Sequence, residues 1–488
     1  MVALGKESLY RVSDIQPSTK HTNNAFPVVF IASGTVLHTG VAYPIFIHLK
    51  SKQVKLPRSH ACNEFSVTLD PGSNTVSVPL VHRHGPCAPT QLSSDKPSSF
   101  TDRLRRNRAR SKYIMSRVSK GMMGDDADVS IPTHLGGSVD SLEYVVTVGL
   151  GTPSVSQVLL IDTGSDLSWV QCQPCNSTTC YPQKDPLFDP SKSSTYAPIP
   201  CNTDACRDLT DDGYGGGCAS GDGAAQCGFA ITYGDGSQTR GVYSNETLAL
   251  APGVAVKDFR FGCGHDQDGA NDKYDGLLGL GGAPESLVVQ TASVYGGAFS
   301  YCLPALNNQV GFLALGGGGA PSGGVVNTSG FVFTPMIREE ETFYVVNMTG
   351  ITVGGEPIDV PPSAFSGGMI IDSGTVVTEL QHTAYNALQA AFRKAMAAYP
   401  LVRNGELDTC YDFSGYSNVT LPKVALTFSG GATIDLDVPN GILLDDCLAF
   451  QESGPDDQPG ILGNVNQRTL EVLYDAGRGR VGFRAAVC

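Results

Sequence analysis

The feature that most limits how this chain can fold is a strand that ends in an aspartate and turns, and it occurs twice. Val158-Leu159-Leu160-Ile161 runs into Asp162-Thr163-Gly164-Ser165. Met369-Ile370-Ile371 runs into Asp372-Ser373-Gly374-Thr375, 210 residues later. In each copy the glycine permits a tight turn. Each copy is also followed by an apolar-apolar-Gly triplet, Leu277-Leu278-Gly279 and Ile461-Leu462-Gly463. A single aspartate before Thr-Gly or Ser-Gly often does no more than accept turn hydrogen bonds. Two copies with matching flanks point instead to two lobes, each placing one carboxylate at a shared seam. Carboxyls held that close cannot both ionise near neutrality, so one keeps a proton. The pair is then a general base and a general acid bracketing one water.

Between the two copies, Phe229-Ala230-Ile231-Thr232-Tyr233-Gly234-Asp235-Gly236-Ser237 reads as a strand entering a Gly-rich hairpin tip. With D-T-G-S, D-S-G-T and both apolar-Gly triplets, it makes residues 140–488 resemble the pepsin-like aspartic endopeptidases, in the plant nepenthesin-type branch. The resemblance implies an all-β fold with a few short helices: two pseudo-twofold related lobes with a cleft between them. It implies Asp162 and Asp372 as catalytic residues. Thr163 and Ser373 would bond across the lobes, and Ser165 and Thr375 would bond the outer carboxylate oxygens. Gly164 and Gly374 complete the turns. Tyr233, Gly234 and Asp235 would form a flap over bound peptide, with Trp169, the single Trp, donating to the Tyr233 hydroxyl.

Charge divides the chain. Residues 1–124 hold 17 Lys and Arg against 6 Asp and Glu, a net of +11; the remainder holds 16 against 41, a net of −25. An acidic body argues against nucleic acid as a partner of the mature domain. Only 16% of residues are charged, and 57 Gly and 30 Pro favour strands and turns over long helices. Twelve of the 14 Cys lie from Cys172 onward, an even number that suits disulfides in an oxidising compartment. N-x-[ST] sequons begin at Asn176, Asn245, Asn327, Asn347 and Asn418. Their co-location with the cysteines suggests secretory passage, to the apoplast or a vacuole, with a plastid as the alternative.

Four segments follow. Residues 1–59 read either as a targeting segment, with Lys6, Arg11 and Lys20 in a long n-region, or as a misplaced start in the gene. Their apolar pieces, 26–32 and 41–49, are too short to span a bilayer, so no membrane partner is expected. Residues 60–135 read as a pro-segment. Its helix candidate, 101–120, carries Arg103, Arg105, Arg106, Arg108, Arg110, Lys112, Arg117 and Lys120, a basic plug for an acidic cleft, and a loose linker at 121–136 offers a cleavage site. His82, His84 and Cys87 lack a fourth metal ligand nearby, so neither metal nor cofactor is expected.

Residues 136–325 form the N-terminal lobe and 326–488 the C-terminal lobe. Asp162 to Gly279 spans 117 residues and Asp372 to Gly463 only 91, and the surplus coincides with seven Cys at 172–227. That stretch reads as an inserted, stapled loop. Sequence alone leaves its connectivity open. The resemblance implies Cys172–Cys175, Cys180–Cys263, Cys201–Cys227, Cys206–Cys218, Cys302–Cys488 and Cys410–Cys447.

The expected function is therefore a monomeric aspartic endopeptidase, made as a zymogen and inhibited by its own pro-segment, that cleaves protein substrates at acidic pH. Two alternatives stand beside it. Xylanase-inhibitor relatives share the fold with a damaged dyad, whereas both turns here are intact. A plastid nucleoid protease that also binds DNA would use the basic 101–120 helix.

Overall fold

In the computed structural model the described residues are 68–70, 75–83, 85, 87–89, 100–123 and 144–485, excepting 176–177, 179, 220–224, 234–236, 252, 269–273, 306–309, 317–327, 338–340, 404–406 and 437. The expected targeting segment, Gly234, Asp235, Asn176, Asn327 and Cys488 lie outside them, as does the expected linker at 121–136 from residue 124 on; its first three residues continue the helix Phe100–Met123 instead. The fold is mostly β, with two halves, each carrying one aspartate turn, on a continuous sheet of 21 strands among the described residues.

Each half builds its aspartate turn the same way. The strand Val155–Asp162 runs antiparallel to Tyr144–Leu150 and parallel to Gly276–Gly279, where Gly279 is opposite Asp162. Its apolar run reads continuously because both faces are buried: Leu159 and Ile161 enter one core, Val158 and Leu160 another. In the second half, Met369–Ile371 runs parallel to Gly460–Leu462, and Asp372 N–H donates to Leu462 O at 3.1 Å.

The triplet glycines are there for close approach. A Cβ on Gly279 would lie 2.0 Å from Asp166 O, and one on Gly463 would lie 2.5 Å from Val377 C. The chain therefore crosses directly beneath each turn, which only glycine allows.

One strand was not foreseen. Thr75–His82, inside the expected pro-segment, pairs with Tyr144–Leu150 on one side and Gly311–Leu315 on the other. It buries Val76, Val78, Leu80 and His82. Beyond Gly311–Leu315 the sheet continues through Ala298–Cys302, Leu470–Asp475, Arg480–Ala485 and Val332–Ile337, so it links residues of both halves.

The expected helix is present as Phe100–Met123. Among its described side chains the buried positions are Leu104, Asn107, Ser111, Ile114 and Val118, spaced three and four apart along one face. Leu104 packs with Val376, Val377 and Val465; Ile114 and Val118 pack with Phe343, Ile370 and Ile461.

The disulfides correct four implied pairings and keep one. Cys410–Cys447 is present. In place of Cys172–Cys175 and Cys180–Cys263, the bridges are Cys172–Cys263 and Cys175–Cys180. The strand Trp169–Gln171 lies beside Val254–Asp268 with Val170 opposite Cys263, so the sheet itself brings Cys172 within reach. In place of Cys201–Cys227 and Cys206–Cys218, the bridges are Cys201–Cys218 and Cys206–Cys227. Burial sorts them: Cys206 and Cys227 share the core, while Cys201 is half-buried and Cys218 exposed. Cys302 is also disulfide-bonded, and the implied partner Cys488 lies outside the described residues.

Candidate active site

The two turns meet. Thr163 N–H donates to Ser373 Oγ at 3.2 Å, and Ser373 N–H donates to Thr163 Oγ1 at 2.9 Å. This reciprocal exchange fixes the spacing of Asp162 and Asp372, both fully buried. The carboxylates are held alike. Gly164 N–H and Gly374 N–H donate to the inner oxygens at 2.9 Å each. Ser165 Oγ donates to Asp162 Oδ2 at 2.6 Å, and Thr375 Oγ1 to Asp372 Oδ2 at 2.5 Å.

A guanidinium sits on the pair. Arg110, on the Phe100–Met123 helix, donates from Nε to Asp372 Oδ2 at 2.8 Å and from Nη2 to Asp372 Oδ1 at 2.9 Å. Nη1 donates to Asp162 Oδ2 at 3.2 Å, and Nη2 makes a further short contact with Asp162 Oδ1. All four carboxylate oxygens are engaged, the fork geometry for which arginine is suited. Burial alone would favour neutral Arg110, but the two carboxylates outweigh it and hold the charge more firmly. Burial likewise works against Asp372 ionising, and Arg110 outweighs it, so Asp372 sits below the ordinary carboxylate range.

Around this contact the helix makes further polar bonds. Asn107 Oδ1 accepts from Val376 N–H at 2.5 Å, and its Nδ2 donates to Glu379 Oε1 at 3.1 Å. Ser111 Oγ donates to the same oxygen. Arg117 lies over the Tyr214 ring, 5.5 Å from its centroid. The Tyr214 hydroxyl donates to buried Asp166 at 3.2 Å, which also accepts from Thr342 Oγ1 at 2.8 Å and Ala283 N–H at 2.9 Å.

The flap hairpin pairs Gln226–Thr232 with Gln238–Ala251, and Tyr233 N–H donates to Ser237 O at 2.8 Å. Trp169 Nε1 donates to the Tyr233 hydroxyl at 2.5 Å, which brings that ring toward Asp162. Of the sequons, Asn418 is exposed, and Asn245 and Asn347 are partly buried. Sequence reasoning missed Asn107, Ser111, Asp166 and Glu379 as site residues. The three-and-four spacing of Leu104, Asn107, Ser111, Ile114 and Val118 could have marked the first two as facing the body.

Two lobes meeting at paired Asp-Thr-Gly and Asp-Ser-Gly turns define the pepsin-like class, and comparison places the chain within it. Residues 144–317 match the xylanase inhibitor N-terminal family and 343–485 the xylanase inhibitor C-terminal family. A protein of Arabidopsis thaliana named as an aspartyl protease family protein is 40% identical over 439 residues, 87% of this chain and 90% of that one. Aspartic proteinase nepenthesin-2 of Nepenthes gracilis is 32% identical over 455 residues, 87% and 96% of the two chains. The crystal structure of basic 7S globulin from soybean shares the fold at TM-score 0.55 and 22% identity, covering 71% of this chain and 92% of that one. The chain belongs to the pepsin-like aspartyl protease family, in its plant nepenthesin-type branch.

Proposed function

We propose that the protein is an aspartic endopeptidase made as a latent zymogen, with Asp162 and Asp372 as the catalytic pair and Arg110 as the plug. The observation that carries this reading is the four-oxygen grip of Arg110 on both carboxylates. The guanidinium stands where a water and the scissile peptide need to be. Once the helix leaves, the two aspartates share a proton across a water. One withdraws a proton from that water, and the other protonates the scissile carbonyl oxygen. The tetrahedral diol then collapses with no covalent enzyme intermediate. An extended peptide lies beneath the Tyr233 hairpin.

Acidification releases the plug. Because Asp372 is held below its ordinary value, its grip is complete above about pH 4 and is lost as pH falls through the lowered pKa. The same acidity gives the singly protonated pair. The intact D-T-G-S and D-S-G-T turns favour a protease over an inhibitor of the xylanase-inhibitor type. The disulfides support passage through an oxidising compartment.

The test is to incubate purified full-length protein with denatured globin at several pH values, with and without pepstatin. Acid-dependent, pepstatin-sensitive cleavage is expected, with little activity near pH 7. Absence of cleavage at every pH would remove the protease reading.

A further inference from the structure

We propose that Glu379 forms a cation-reading subsite, so that the mature enzyme selects a Lys or Arg side chain at one fixed substrate position on the Asp372 side of the cleft. This rests on the protease reading above.

Glu379 lies on the strand Thr378–Gln381, seven residues after Asp372, and is 3% exposed beneath the helix. Its carboxylate accepts from three side chains, Asn107, Ser111 and Gln451, the last donating from Nε2 at 2.5 Å. Two of the three belong to the helix and leave with it. Only Gln451 then remains, and an acid group that was roofed over opens into the cleft. Asn107 and Ser111 flank Arg110 on the same helix, which rises about 1.5 Å per residue. Glu379 therefore lies within about one turn of the aspartate pair along that axis.

A cavity of about 710 Å³ adjoins it, between helix and body. The body side presents Glu379, Gln451, Asp408 and Glu452; the helix side presents Arg108 and Lys112. Asp408 already accepts from the Tyr385 hydroxyl at 2.6 Å, and Glu452 pairs with His382 at 2.7 Å. Glu379 is the acid with two of its three side-chain partners on loan from the pro-segment. Burial pushes its carboxyl up to about 7 while the helix is docked. Opening to solvent relieves that cause and returns it toward the ordinary value of about 4.3, leaving an anion near pH 5. A buried anion with an open face favours a charged donor over a neutral one. Substrate in extended form advances about 3.3 Å per residue, so the selected side chain falls within about three residues of the scissile bond.

The experiment digests denatured globin and a mixed peptide library at pH 5 with the acid-activated full chain, and reads cleavage sites by mass spectrometry. Lys and Arg should be enriched about tenfold at one position, the fold-change of one charge-assisted hydrogen bond. E379Q should lose that enrichment, and E379R should replace it with Asp and Glu. If E379R does not fold, the near-isosteric E379Q still decides. Cleavage with no basic preference, or a preference unchanged in E379Q, would overturn the subsite. No cleavage of any substrate by the wild-type chain would instead overturn the protease reading.

Discussion

The two aspartate turns match in their bonding and in the glycine crossing beneath them, and differ in the walls on either side. Asp162 and Asp372 each accept one backbone N–H and one hydroxyl, from residues two and three positions on. Beside Asp162 stand the Trp169–Tyr233 bond and the disulfide-stapled insertion. Beside Asp372 stands Glu379, roofed by the pro-segment helix. The comparison separates two jobs. Chemistry requires equal carboxylates, so the turns match; recognition of a directional peptide requires unequal walls, so the flanks do not.

The largest expected effect tests the equality. D162N and D372N should each lower globin cleavage at least about 100-fold with the fold unchanged by circular dichroism, because either removes the shared proton. Loss in one variant alone would break the comparison at its centre. The next effect tests the flank beside Asp162. Tyr233→Ala should lower kcat/KM about tenfold, or ~1.4 kcal/mol, since it deletes the partner of Trp169 Nε1. Unchanged kinetics would leave Tyr233 as packing only.

Stability tests the equality again, from below. Gly279→Ala and Gly463→Ala each push a Cβ into backbone, so each should cost about 1–3 kcal/mol, read from urea midpoints. Tolerance of either variant would deny that close crossing. The smallest effect lies in the pH profile of latency. Burial raises Glu379 to about 7 in the docked state, so its contribution to docking is full below about pH 4.3 and is lost as pH rises through 7. Asp372 has the opposite sign and fails at low pH. Docking should therefore be firmest between those limits. E379Q should flatten the alkaline arm, a change of about threefold in the rate of pepstatin access between pH 6 and 8. An alkaline arm of the same steepness in E379Q would place its origin elsewhere.

What the sequence disclosed follows from the same division. The duplicated strand-Asp-turn was legible because its chemistry is local: apolar run, carboxylate, glycine and hydroxyl lie within eight residues. The triplets Leu277-Leu278-Gly279 and Ile461-Leu462-Gly463 were legible because they repeat. The basic helix was visible as charge, yet charge could not single out Arg110 among eight candidates, since that choice depends on which helix face packs against Val376 and Ile370. The alternation at Val76, Val78 and Leu80 carried a strand signal, but its place between Tyr144–Leu150 and Gly311–Leu315 is a matter of long-range pairing. The cysteine partners were illegible for the same reason. Cys227 meets Cys206 because both are buried, and burial is not written in spacing.

The central claim is that a single guanidinium closes a competent pair of carboxylates. Calorimetric binding of pepstatin to intact full-length protein at pH 6 tests it most directly, comparing wild type with R110E. Reversing that charge sets a third carboxylate against Asp162 and Asp372 and removes a buried partner, a loss of about 3–5 kcal/mol. Wild type should show no binding within the experiment, and R110E should bind one equivalent. Equal binding by both chains would contradict the plug, and absence of binding to R110E that is folded and acid-treated would contradict the pair.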